Sequence, residues 1–265
     1  DVVNEVKQLA AAGYQEVVLT GIHLSSYGID KEDGSNLLRL IQAVHGTEGI
    51  RRIRLGSLEP RIITEEFARA IGSMEKMCPH FHLSLQSGCN ATLKRMNRRY
   101  TAEEFKELDD YAQMLGIELI PCIEALGHLQ QPLRWPAMRD LRDTSDIALV
   151  GDEKVYDFLR ACIRQVSRCF RTRKVHLGMD EAWSLGLGKY LIKNGYTPKR
   201  EIIRQHMDRV MELCKEEGLE PMIWSDMYFR VHSETEDYYN VKPDTDMRTG
   251  ALPPEGMSLV YWDYY

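Results

Sequence analysis

The chain has 265 residues, 43% hydrophobic and 28% charged, which fits one α/β barrel or two smaller domains and excludes a wholly disordered, collagen-like or coiled-coil chain. The formal charge is −6, and it is uneven: residues 1–105 hold 13 basic and 13 acidic side chains, while the remainder holds 21 and 27. A molecule with this balance is no general binder of polyanions. No stretch approaches the roughly 20 apolar residues that span a bilayer, and Asp1 to Leu9 lacks the build of a signal peptide. Beginning on Asp1, the sequence reads as a piece of a longer chain.

In chain order, apolar spacing of i, i+3, i+4 predicts a helix at Val3–Ala12, closed by Gly13, before an apolar run at Glu16–Thr20. A helix at Leu37–Val44 leads to the run Arg52–Gly56, and a further run, His80–Gln86, precedes a helix over Ala102–Leu115 closed by Gly116. The second part repeats the alternation. The run Ile117–Ile123, a helix at Lys154–Arg168, the run Lys174–Gly178, a helical stretch at Ala182–Leu191, a helix at Lys199–Glu217 closed by Gly218, and the runs Pro221–Ser225 and Ser258–Trp262 complete it. Seven short runs between helices predict an α/β fold, a (β/α) TIM-type barrel that is closed or one strand short, with functional loops after the strands' C-terminal ends. The long connections 131–151 and 232–256 predict lids or local extra structure.

Cys78, Cys89, Cys122, Cys162, Cys169 and Cys214 form no C-x-x-C pair and no zinc spacing, so buried reduced thiols are expected, and with them a cytoplasmic location. No metal site and no cofactor is expected.

Three segments of the first part form a dense series: Leu19-Thr-Gly-Ile-His-Leu-Ser-Ser-Tyr-Gly28, Arg52-Ile-Arg-Leu-Gly-Ser-Leu-Glu-Pro60, and Cys78-Pro-His-Phe-His-Leu-Ser-Leu-Gln-Ser-Gly88 with Leu93-Lys-Arg-Met-Asn-Arg-Arg-Tyr-Thr101. Over about residues 1–105 they resemble the radical S-adenosylmethionine methylthiotransferases that modify tRNA adenosine. The resemblance implies that Ser57, Glu59, Gln86 and Ser87 are a vestigial lining for S-adenosylmethionine. The bland alternative is that Ser57, Glu59 and Gln86 cap helices and satisfy a sheet rim. That chemistry needs an iron–sulfur cluster on three closely spaced thiolates, which this sequence does not contain. Lys94, Arg95, Arg98 and Arg99 read as a solvated helix face or as phosphate contacts, and tRNA is not an expected partner.

From about Leu108 onward, Ile117-Glu-Leu-Ile-Pro-Cys-Ile-Glu-Ala-Leu-Gly-His-Leu129, Val175-His-Leu-Gly-Met-Asp-Glu-Ala182, Pro221-Met-Ile-Trp-Ser-Asp-Met-Tyr228 and Leu259-Val-Tyr-Trp-Asp263 resemble the family-20 glycoside hydrolases, the β-N-acetylhexosaminidases. Adjacent acids at a strand end suit glycoside hydrolysis by themselves, since one carboxyl must protonate the leaving oxygen, but they also suit the first turn of a helix. The resemblance implies a substrate-assisted, retaining hydrolysis of a terminal N-acetylhexosamine. It makes Glu181 the general acid and base and gives Asp180 the acetamido N–H. Tyr261 would hold the acetamido oxygen, Asp263 sugar hydroxyls, Trp224 the pocket wall, and His128 a place behind the acids. Trp135, Trp183 and Trp262 are expected in the core or at the rim. The family's sugar-binding arginine and a further tryptophan have no counterpart in this sequence.

The two resemblances meet inside the helix pattern Thr101–Leu115, whose apolar face is Leu108, Tyr111, Ala112 and Leu115, with no linker between them. One (β/α) barrel assembled from two parents, 1–105 and 106–265, is the expected organisation. Three functions stay open on the sequence: a glycosidase acting on an N-acetylhexosamine-containing glycoside with no membrane partner, a methylthiotransferase fragment without its cluster cysteines, and a catalytically silent chimeric barrel.

Overall fold

The computed structural model describes residues 1–114, 116–233, 235, 241–247 and 252–262, with the side chain of Met114 left aside. Asp263, Tyr264, Tyr265 and Leu115 lie outside the described residues. The chain forms two compact units, Asp1–Tyr111 and Ala112–Tyr265.

The first unit runs α1 (Val2–Ala11), β1 (Glu16–Leu19), α2 (Leu37–His45), β2 (Arg52–Leu55), α3 (Glu65–Gly72), α4 (Asn90–Arg95) and α5 (Ala102–Met114), the last crossing the unit boundary. Helix α2 forms because Leu37, Leu40, Ile41 and Val44 fall on one face and are buried together. Its start is fixed by Asn36, whose side chain accepts the Arg39 N–H at 2.9 Å. Thr64 starts α3 in the same way, accepting the Phe67 N–H at 3.2 Å. Strands β1 and β2 pair in parallel, Glu16 opposite Arg52 and Leu19 opposite Leu55, and put Val17, Leu19, Ile53 and Leu55 into the unit's core.

The second unit runs α6 (Gln130–Leu133), α7 (Glu153–Cys169), β3 (Lys174–His176), α8 (Lys189–Asn194), α9 (Lys199–Glu216), β4 (Glu220–Trp224), α10 (Asp226–Arg230) and β5 (Ser258–Val260). Its three strands lie in the order β3-β4-β5, all parallel. Val175, Ile223 and the buried faces of α7 and α9, led by Tyr156, Leu159, Ile163, Met207 and Val210, make one core. Parallel strands with helices between them bury their polar backbone in ladders and leave the C-terminal loops for chemistry.

Both units are therefore α/β with parallel strands. Two of the seven expected runs, His80–Gln86 and Ile117–Ile123, do not become regular strands. Each keeps isolated pairing only: Leu83 bridges Leu58, and Cys122 bridges His176. The first pairs only around Leu58, whose N–H donates to His82 O at 2.9 Å and whose carbonyl accepts the Ser84 N–H at 3.1 Å, and it ends at Gln86, whose φ of +66° is not extended backbone. In the second, Pro121 has no N–H to give a ladder, so pairing at residues 121–125 is carried by the Ile123 N–H to His176 O at 2.9 Å and the Ala125 N–H to Leu177 O at 3.0 Å.

The stretch Ala182–Leu191 also departs from expectation, because its helix starts only at Lys189. Gly186, at φ +75°, breaks the run, and a Cβ at Gly188 would lie 2.1 Å from the Asp143 carbonyl oxygen. The buried Asp143 carboxylate ties this loop down, accepting the Gly186 N–H at 2.8 Å and the Tyr190 N–H at 2.7 Å. The six cysteines are unbonded, yet only Cys78 and Cys214 are buried, while Cys89 and Cys122 are exposed. No helix among the described residues is long and apolar enough to cross a membrane.

Candidate active site

The acids of the second unit gather where the chain leaves β3. Beyond His176 the backbone turns through left-handed geometry at Gly178 (φ +61°), Met179 (φ +70°) and Glu181 (φ +49°), and His128 on the neighbouring segment does the same (φ +54°). Left-handed residues other than glycine cost about 1–3 kcal/mol each and persist where the surroundings over-determine them. The surroundings here are tight. A Cβ on Gly178 would lie 2.0 Å from Glu124 Oε2, and one on Gly127 would lie 2.5 Å from the Asp180 carbonyl oxygen. Only glycines let the segments 124–128 and 178–181 approach this closely.

That approach brings His128 against both acids. Its Nε2 stands 3.3 Å from Asp180 Oδ2 and 3.4 Å from Glu181 Oε2, with the Asp180 side chain 17% and the Glu181 side chain 32% exposed. Asp226, fully buried at the start of α10, accepts the Glu181 N–H on Oδ2 at 3.0 Å and so holds the strained backbone of that residue. Burial is the largest influence on the acids. It raises the Asp180 carboxyl above its ordinary range, pushes Asp226 up to about 6 and Glu124 up to about 7, and the Asp180 charge pushes the latter two further in the same direction. Carboxyls inclined in this way to keep a proton are what general-acid chemistry at neutral pH requires.

His176 plays a structural part. Its Nδ1 accepts the Gly178 N–H at 3.1 Å, which places the ring proton on Nε2, and burial holds its basicity down to about 4. Trp224 packs on that ring, centroids 4.3 Å apart and planes tilted 53°, so the half-buried indole is anchored at the end of β4. Tyr261 follows β5 and is 62% exposed. Asp263 lies outside the described residues. Trp183 and Trp135 are at the rim: the Arg230 guanidinium covers the Trp183 ring at 3.2 Å, and Arg134 lies 5.2 Å from the Trp135 ring centroid.

The sequence reading put His128, Asp180 and Glu181 in one site, and the structure brings them together. It did not single out Glu124 or Asp226. Asp226 stands just past β4 and Glu124 just past the expected run Ile117–Ile123, and that position was the available signal.

In the first unit, Glu59 lies on a cavity of about 710 Å³ with His23, Tyr27, Arg61 and Arg98 among its walls. Glu59 is occupied by its neighbours: Arg98 donates to it at 2.5 Å and His23 Nε2 stands 3.3 Å away. Ser57 hydrogen-bonds the His82 ring at 2.8 Å, Ser87 accepts the Cys89 N–H at 3.1 Å, and the exposed Gln86 sits at φ +66°. Neither Ser57, Gln86 nor Ser87 lines that cavity. Of the basic run, Lys94, Arg95 and Arg99 are exposed, and Arg98 turns to Glu59. The cysteines do not fit an iron–sulfur cluster, since no three are close in sequence and, among the described residues, no group of three His, Cys, Asp or Glu could hold a metal ion.

Two family descriptions match the chain. That of the glycosyl hydrolase family 20 catalytic domain covers residues 70–249, and that of the radical SAM superfamily covers residues 1–131. Among curated relatives, the tRNA-2-methylthio-N(6)-dimethylallyladenosine synthase of Thermoanaerobacter pseudethanolicus is 41% identical over 110 residues, 42% of this chain and 23% of that protein. The threonylcarbamoyladenosine tRNA methylthiotransferase of Aquifex aeolicus is 48% identical over 110 residues, 42% of this chain and 26% of its own. This chain thus spans about a quarter of the length of these two curated relatives. Among solved structures, the β-N-acetylhexosaminidase of Bacteroides fragilis is 21% identical with a TM-score of 0.47, covering 63% of this chain and 32% of that one. The N-acetyl-β-hexosaminidase of Streptomyces plicatus is 19% identical with a TM-score of 0.44, covering 94% and 42%.

Proposed function

From the premise that the chain belongs to glycosyl hydrolase family 20, whose catalytic domain matches residues 70–249, we propose that it hydrolyses terminal β-linked N-acetylhexosamine from glycosides by substrate-assisted, retaining catalysis. The observation that supports this most is the convergence of His128 on Asp180 and Glu181, with both acids partly exposed at the end of β3.

In this reading Glu181 protonates the leaving oxygen and then takes a proton from water, while the substrate's own acetamido oxygen attacks the anomeric carbon. The Glu181 N–H is fixed by Asp226, so its carboxyl enters the site from a set backbone. Asp180 accepts the acetamido N–H and balances the positive charge that develops on the oxazolinium ring, an electrostatic role that gains strength from its burial. His128, between the two acids, holds them apart as they change charge. Trp224, anchored on His176, offers an aromatic face to the sugar or its acetamido methyl. Tyr261 and Asp263 take the acetamido oxygen and the sugar hydroxyls. We read the parallel strands of each unit, separately, as part of a (β/α) barrel arc.

The test is cleavage of a chromogenic N-acetylglucosaminide by the protein and by Glu181→Gln. The proposal expects turnover that the substitution reduces by about 10²–10⁴-fold, the span of a general acid's contribution. Equal rates in the two proteins reject it.

A further inference from the structure

Three carboxylate oxygens buried in the site have no hydrogen-bond partner among the described residues: Oε2 of Glu124, Oδ1 of Asp180 and Oδ1 of Asp226. The first two belong to the two segments that Gly127 and Gly178 press together, and the space where Gly178 would carry a Cβ is taken by the Glu124 carboxyl. A buried acceptor without a donor is costly, and two ionised carboxylates that feel each other's charge are costlier still. A proton relieves both costs at once.

We propose that Glu124 is a proton-bearing positioning residue for Asp180: its neutral carboxyl supplies the hydrogen-bond donor that Asp180 Oδ1 lacks, keeps Asp180 the single anion of the pair and fixes its rotation. The inference rests on the role given to Asp180 above.

The groups around Glu124 favour this division. On its own segment are Cys122 and His128, and across from it are Asp180, the Met179 N–H and the His176 ring, which stands 3.7 Å from Cys122 Sγ. Asp226 and Glu181 both couple to the pair through Asp180: the Glu181 charge raises Asp180 directly, and Asp226 and Asp180 feel each other's charge. Burial and the Asp180 charge push Glu124 up to about 7, against smaller downward pulls from His128 and the Met179 N–H. His176 is neutral and adds no charge. Below about pH 7 the carboxyl therefore carries its proton; above it, a second anion appears beside Asp180.

Two measurements on the full chain test this. In a carbon-13 carboxyl titration of glutamate-labelled protein, one resonance is expected to titrate near pH 7, to vanish in Glu124→Gln and to move to lower pH in Asp180→Asn. The absence of such a resonance, or a midpoint indifferent to Asp180→Asn, overturns the pairing whether or not the protein turns over substrate. In the active enzyme, Glu124→Gln, which stays neutral at every pH, is expected to keep kcat within about three-fold of the parent under mildly acidic conditions and to lose the decline centred near 7. Glu124→Leu is expected to lower kcat by about ten-fold or more with KM little changed. Two variants that fall equally, with an unaltered pH profile, show a merely structural glutamate. Should the parent protein cleave nothing, it is the glycosidase reading that fails, and the titration alone decides the pairing.

Discussion

Asp226→Asn isolates the stability cost of the site. Asp226 is fully buried, and its carboxyl, ordinarily at 3.8, is pushed up to about 6, first by burial. The folded protein thus holds this proton more tightly than the unfolded chain does, and its contribution is fully present below about pH 4 and lost as pH rises through about 6. A change of about two pH units at about 1.4 kcal/mol each corresponds to about 3 kcal/mol. Asparagine keeps the shape and a carbonyl to accept the Glu181 N–H, but carries no charge to bury. Urea unfolding followed by tryptophan fluorescence, at several pH values from 4 to 8, should show the variant gaining on the parent as pH rises, by about 3 kcal/mol across the range. A stability difference that is the same at both ends would mean that Asp226 is not a buried titrating carboxyl, and the electrostatic picture of the site would go with it.

Gly178→Ala should destabilise the protein by more than about 1 kcal/mol, because its φ of +61° suits no alanine and the new Cβ meets Glu124 Oε2 at 2.0 Å; thermal unfolding checks this, and a variant as stable as the parent contradicts it. The same substitution should lower kcat more than it raises KM, since it displaces an acid rather than a sugar contact. Anaerobic reconstitution with iron and sulfide should leave the chain without a stoichiometric cluster, and one four-iron cluster per chain on elemental analysis would contradict the absence of a fitting cysteine set.

Much of this was legible in the residues. The apolar stripe Leu37, Leu40, Ile41, Val44 announces α2, and Gly13, Gly116 and Gly218 all adopt the left-handed geometry expected past a helix end. The acids after β3 stand at a strand end, where a parallel sheet puts its working loops. What was hidden has physical causes. The apolar run Ile117–Ile123 looks like a strand, but Pro121 leaves its ladder short of a donor. The stretch after Glu181 looks helical until Gly186 and Gly188 are seen against Asp143. Left-handed backbone at His128, Met179 and Glu181 leaves no mark in residue type, because those residues adopt it only under the compulsion of their neighbours. Glu124 is silent for a related reason: a lone glutamate past an apolar run reads as surface until its carboxyl is seen against Gly178.

The most direct examination of the central claim is calorimetric titration of the protein with an N-acetylglucosamine-thiazoline, a mimic of the cyclised sugar that Asp180 would hold. Saturable binding at one site, weakened about 100-fold or more in Asp180→Asn, is the predicted result. No heat with the parent protein at millimolar ligand, or binding that Asp180→Asn leaves unchanged, would contradict it.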